Sequence, residues 1–169
     1  MLRHLFISHV KRSATQVSNQ KSLKSIFAIT LMAATLGLTA CSTPVDPDVK
    51  ARQDIMKNFG DAMKVMGGMA KEPDTFDADV FKEQAAFLAE ESKNPWSHFN
   101  NKDAAGNAKE AVWSNVDGFK TEADNFQKAT AELNTAAQTA TSIDDVMPAF
   151  KAVGDSCKSC HTDFQVEKD

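Results

Sequence analysis

Val146-Met147-Pro148-Ala149-Phe150-Lys151-Ala152-Val153-Gly154-Asp155-Ser156-Cys157-Lys158-Ser159-Cys160-His161-Thr162-Asp163-Phe164 decides how the chain folds. Val146, Phe150, Val153, Cys157, Cys160 and Phe164 recur at steps of four and three, the repeat of one helix face turned toward a core. Both thiols therefore belong to a buried seam. Cys157, Cys160 and His161 also form C-x-x-C-H, the attachment signature of a c-type haem. In that chemistry the two thiols add across the haem vinyl groups as thioethers, and the imidazole becomes an axial ligand of iron. At i, i+3 and i+4 the three side chains leave one helix face toward one planar group. A haem so attached lies inside the helical assembly.

Two other uses of such a motif fit less well. A structural zinc needs four ligands, and beyond the N-terminal segment the only other histidine is His98, with no further thiol nearby. A thioredoxin-like pair needs a βαβ pattern, and no strand-like run flanks this one.

The N-terminus has the order of an export signal. Residues 1–40 carry Arg3, Lys11, Arg12, Lys21 and Lys24, no acidic residue, and an apolar run from Ile26 to Ala40. At 15 residues the run is shorter than a membrane-spanning helix. It ends in Leu38-Thr39-Ala40-Cys41, which looks like a bacterial lipoprotein box, so the expectation is a leader of 1–40 removed and Cys41 diacylated. Two acyl chains give the two signals that stable anchoring requires. The alternative is an ordinary cleaved signal that leaves Cys41 a stray thiol. Ser42 resembles the residue of lipoproteins sent to the outer membrane, so a periplasmic protein anchored there, more than at the inner membrane, is expected.

The three cysteines are then accounted for, one by lipid and two by haem. Without the leader's five basic residues, 14 basic side chains face 23 acidic ones, a net charge of −9 on 129 residues. Such a surface argues against nucleic acid or anionic lipid and favours basic protein partners.

A chain of this length forms one domain with a single core. The periodicity predicts a lipidated tether over 41–48 and a helical domain over 49–169. The first helix runs from about Val49 to Ala70 and the second from about Ala78 to Lys93, capped by Asp77. The segment from Asn94 to Ala108 reads as the one long connection, pinned by Trp96 and Phe99. A third helix is expected from Val112 to Ala137, with Val116, Phe119, Ala123, Phe126, Thr130 and Leu133 on its seam. The fourth starts near Ser142 to Asp145, with Pro148 close enough to that start to be tolerated. Two short links around one long link give an all-α, antiparallel up-down-up-down four-helix bundle around covalently bound haem.

Arg52-Gln53-Asp54-Ile55-Met56, Asn94-Pro95-Trp96, Phe99, Val112-Trp113 and the stretch from Phe150 to Phe164 together resemble the cytochrome c′ family, with its low-spin relatives of the cytochrome c556 type. The resemblance covers the whole domain. It implies one haem c per chain, held through Cys157 and Cys160, with His161 on one side of the iron and an apolar pocket on the other. By motif position the nearest pocket residue is Met56. In most of the family the iron stays five-coordinate, high-spin and open to nitric oxide or carbon monoxide. In the low-spin relatives a methionine from the first helix completes the coordination, and the protein carries electrons between periplasmic or membrane redox partners. A thioether is both a soft ligand and a flexible apolar filler, and Met63, Met66 and Met69 nearby are of the second kind, so Met56 is expected to line the pocket without binding iron.

Arg52, one turn before Met56, is positioned for a haem propionate, the alternative being a solvated helix arginine. Trp113, Phe119 and Phe126 are candidate pocket walls as well as candidate core, and His98 is expected to be a solvated residue and not a ligand. The family also implies homodimers paired through the first two helices. Gln165 departs from its pattern, standing where many members have a basic residue. With no histidine on the first helix to act as acid or base, a haem-binding gas carrier or electron carrier is expected, not an enzyme.

Overall fold

The structure, a computed structural model, describes residues 45–167. The leader and Cys41 lie outside the described residues. Helix α1 spans Pro47–Lys71. Asp46 caps it by accepting from the Asp48 and Val49 amides at 2.9 and 3.4 Å. The helix thus starts two residues before the expected Val49: Pro47, which has no N–H to lose and a φ already helical, opens it. Pro73 ends it, since the residue before a proline is pushed out of the α region.

Helix α2, Ala78–Glu91, starts at Asp77, whose carboxylate accepts from the Asp79 and Val80 amides. It buries Phe81, Ala85 and Leu88 completely. The expected end at Lys93 falls two residues late, because Asn94 and Pro95 turn the chain into a 3-10 segment over Pro95–Phe99.

The expected third helix is two helices, α3 over Ala111–Ser114 and α4 over Val116–Ala137. Asn115 breaks it by adopting φ −125° and turning its side chain to accept from the Gly118 amide at 3.2 Å, the work of an N-cap. Val116, expected on the seam, is 60% exposed as a result. Beyond that turn the seam holds, with Ala123, Phe126, Thr130, Leu133 and Ala137 buried. Helix α5, Met147–Phe164, follows a capping box between Ser142 and Asp145, and its proline sits in the first turn.

α1 packs on α2, α2 on α4 and α4 on α5 around a core that includes Met66, Phe81, Leu88, Leu133, Val146 and Val153. Each such side chain contributes about 1.5–3 kcal/mol by leaving water. The described residues contain no β-strand; an isolated antiparallel bridge joins Ala108 to Gln165.

The long connection is clasped to α1 by Arg52. Only 4% of this residue is exposed. Its guanidinium donates to the carbonyls of His98, Ala104 and Ala105, the first two at 2.7 and 2.6 Å, and lies 4.7 Å from the Phe99 ring centre. Burial pushes its pKa below the ordinary value, while Asp46 and Asp48 oppose that shift. The expected alternative of a solvated arginine is therefore wrong: the helix spends this residue on three carbonyls of the irregular loop, of which Ala105 also accepts from the Ala108 amide. His98 is likewise tied down, its Nδ1 lying 2.8 Å from Asp48 Oδ1. Gly106 completes the clasp at φ +54°, where a Cβ would come within 2.8 Å of Val49 Cγ1 and 3.2 Å of Arg52 Nη2.

Arg52→Ala is expected to cost about 2–4 kcal/mol in urea unfolding, because three carbonyls lose a charged donor, and Arg52→Lys should recover only part of this. Gly106→Ala should cost about 1–3 kcal/mol through its left-handed backbone alone, with the Val49 clash added. In both variants amide exchange is expected to quicken first in residues 98–106.

Candidate haem site

α1 and α5 approach each other at Gly67 and Phe150. A Cβ added to Gly67 would sit 3.7 Å from Phe150 Cζ, so there the helices touch. Eleven residues farther along each, at Met56 and His161, a cavity of about 250 Å³ parts them. α1 contributes Met56, Phe59, Gly60 and Met63 to its wall, and α5 contributes Gly154, Ser156, Cys157, Cys160 and His161. Leu88, Trp96 and Phe126 close the back.

A second cavity of about 550 Å³ shares Met56, Trp96, Cys160 and His161 with the first. The two are continuous in their lining but differ in character. The outer one adds Arg52, Gln53, Lys57, Asn107 and Gln165 among apolar neighbours such as Phe99 and Phe119, so an apolar slot adjoins a mouth that also offers polar groups. That division suits a flat, largely apolar ring with carboxylates on one edge.

The α5 residues are held by the helix's far end. The Val166 amide donates to the Asn107 carbonyl and the Lys109 amide to the Phe164 carbonyl, each at 2.9 Å. Lys109 Nζ reaches the Thr162 carbonyl at 2.7 Å. The last turn, which carries His161, therefore cannot fray freely.

Cys157 and Cys160 are half-buried thiols facing the inner slot. Burial pushes the Cys157 pKa up; burial first, then Glu122, pushes that of Cys160 to about 11. Both remain S–H at neutral pH. Redox exchange and zinc binding need thiolate, whereas addition to a vinyl group consumes an S–H bond, so the setting favours the haem reading of the motif. No cluster of three or more His, Cys, Asp or Glu capable of holding a metal occurs among the described residues. His161 is an exposed residue bordering both cavities, and the partial loss of hydration on that side lowers its pKa, which favours the neutral imidazole that coordinates a metal.

The glycines test whether a ring fits. A Cβ at Gly106 or Gly118 would collide with protein atoms, but one at Gly60 or Gly154 would meet nothing within 4 Å. Gly68, outside both cavities, is equally free, so open space beside a helix glycine is not special to the slot; what Gly60 and Gly154 show is that no protein atom fills the slot against either helix there. A flat apolar ring fits such a slot, with Cys157, Cys160 and His161 on the α5 side and Met56, Phe59 and Met63 on the α1 side.

Arg52, Met56, Cys157, Cys160 and His161, singled out from the sequence, all line this slot or its mouth. Phe126 borders the inner part and Phe119 the outer. Trp113 borders neither; its Nε1 donates to the Phe99 carbonyl at 2.7 Å. Met63, expected as an apolar filler of the core, lines the slot instead, and Gly60, Gly154 and Ser156 went unnoticed, although spacings of four and seven from Met56 and of seven from His161 place Gly60, Met63 and Gly154 on the same helix faces. Asn107 gave no sequence signal, since a loop residue has no period.

Comparison with known proteins agrees. The family model described as Cytochrome C′ matches residues 48–165. A cytochrome c-556 of Agrobacterium tumefaciens is 31% identical over 128 residues, covering 70% of this chain and 94% of that one. A cytochrome c′ of Alcaligenes xylosoxydans xylosoxydans is 32% identical over 124 residues, covering 71% and 94%. The crystal structure of cytochrome c′ from Rubrivivax gelatinosus superposes with a TM-score of 0.65 at 31% identity, over 70% of this chain and 94% of that one. A nitric oxide complex of a cytochrome c′ variant from Alcaligenes xylosoxidans gives 0.61 at 31% identity, over 72% and 94%. The chain belongs to the cytochrome c′ family, and its cofactor is that family's covalently bound haem c, one per chain.

Proposed function

We propose that Cys157 and Cys160 carry the haem as thioethers, that His161 is its axial ligand, and that the protein is a five-coordinate, high-spin cytochrome binding nitric oxide or carbon monoxide and exchanging electrons. The observation that carries this reading is the α1 wall of the slot, which is made of Met56, Phe59, Gly60 and Met63 and holds no acid or base. When bound, the haem supplies an iron with one open side and a one-electron couple. Around it the chain's own residues do three things. The protonated thiols offer the S–H bonds that attachment consumes. The neutral imidazole offers a lone pair from a helix turn fixed by its loop. The apolar wall excludes water and polar ligands, which leaves small uncharged gases favoured.

At the mouth, Arg52 keeps two N–H groups, on Nη1 and Nε, beyond the three bonds made to carbonyls. These support a propionate contact in addition to the clasp. The nitric oxide complex of the Alcaligenes relative supports the choice of ligand. The absence of a general acid or base on the α1 wall argues against turnover of a peroxidase kind.

The surroundings of the protein follow from its termini and surface. No helix among the described residues is long and apolar enough to cross a membrane, so tethering rests on a diacylated Cys41. The export leader and Ser42 support the periplasmic side of the outer membrane. The acidic surface suits a basic periplasmic or membrane redox partner. Val65 and Val80, exposed at 43% and 36% on α1 and α2, support a homodimer through those helices.

A second reading has Met56 as a sixth ligand, making a low-spin electron carrier; its half-buried position bordering both parts of the slot favours it. The two are separated by spectroscopy on protein matured in the periplasm. The ferric form is expected to give a high-spin electron paramagnetic signal, and the ferrous form to bind carbon monoxide. A low-spin ferric signal with an iron-to-sulfur absorption band, lost in Met56→Ala, would establish the second reading instead.

A further inference from the structure

Lys109 is fastened unlike the other paired lysines of this protein. Lys50, Lys57, Lys120, Lys128 and Lys151 each meet an acid four residues along their own helix, in solvent. Lys109 instead sends its ammonium to another element, the Thr162 carbonyl at 2.7 Å, while its own amide donates to the Phe164 carbonyl at 2.9 Å. The residue is half-buried, and it takes these main-chain oxygens although Glu110 and Asp163, next to the bonded residues, carry carboxylates.

The carbonyls concerned are those a helix end leaves over. In α5 they are the last four, from His161 to Phe164. The Gln165 amide donates to the His161 carbonyl at 3.1 Å. The Val166 amide, whose place in the ladder would be on Thr162, turns away to the Asn107 carbonyl. The Lys109 ammonium fills the position so left, with a charge of the sign that a helix C-terminus favours. One residue of the connection thus caps two of the four carbonyls, in the turn that begins at His161.

A metal ligand is oriented by bonds made around it. The His161 residue is exposed, so the direction of its ring depends on the backbone turn that carries it. We propose that Lys109 is a positioning residue for the haem iron: by holding the last turn of α5 from outside the helix, it sets how His161 presents its imidazole. The inference rests on the reading that His161 is the axial ligand. A looser turn gives a weaker and more varied bond between imidazole and iron.

The test uses the mature holoprotein. Its ferrous carbon monoxide complex is photolysed and the iron–imidazole stretch is read at once by resonance Raman, which reports the imidazole whether or not Met56 binds on the other side. In Lys109→Met the band is expected to shift to lower frequency and broaden. In Lys109→Arg, which keeps a cation with N–H donors, it is expected to return toward its original place. A lysine with a structural role alone would lower the unfolding midpoint and leave the band where it was, so an unchanged band in Lys109→Met overturns the proposal. NMR of the unaltered carbon monoxide complex gives an arm that needs no variant. The Lys109 ammonium is expected to exchange slowly and to show a coupling across the hydrogen bond to the Thr162 carbonyl carbon; an ammonium that exchanges freely without it overturns the proposal as well. Absence of any iron–imidazole band in the unaltered protein would instead defeat the ligation reading itself, and this inference with it.

Discussion

Between Met56 and His161 the bundle lacks the side chains that would close α1 onto α5, and this gap constrains what surrounds it. The two helices touch at Gly67 and Phe150 and diverge from there. A protein interior is normally as dense as an organic crystal, so a slot of this size is paid for elsewhere in the core. The fully buried Met66, Phe81, Leu133, Val146 and Val153 supply that compensation away from the slot lining. A haem attached to α5 as proposed would give the open end the apolar contacts it lacks, coupling folding to cofactor retention.

Most of this was legible in the sequence because it follows from periodicity. The three-and-four spacing on α1, α4 and α5 gave their buried faces, and the C-x-x-C-H spacing on one such face gave the orientation of the site. Local chemistry that competes with a helix was harder to see. Asn115 lies in a run whose apolar spacing continues through it, yet its side chain caps a new helix and leaves Val116 in solvent. Pro47 looked like a tether residue because proline usually breaks helices, although at the first position it starts them.

Arg52 shows a different limit. Its place on the face of Met56 was evident, but its partners are carbonyls more than forty residues away in a connection with no regular period. Sequence can put a cation on a helix face; it cannot reveal which carbonyls an irregular loop will turn toward it. The glycines of the slot are legible only afterwards. Gly60 and Gly154 look like weak spots in two helices until the space beside them is seen to be free.

The connection between α2 and α3 is fastened at both ends, to α1 through Arg52 and Gly106 and to α5 through Asn107, Ala108 and Lys109. It thus spans the same two helices that bound the slot and acts as a strut of fixed length between them. Insertions or deletions in that strut would reset the width of the opening while leaving every haem-bonding residue untouched. Divergence among such proteins can in this way adjust how large a molecule is admitted by editing a surface loop.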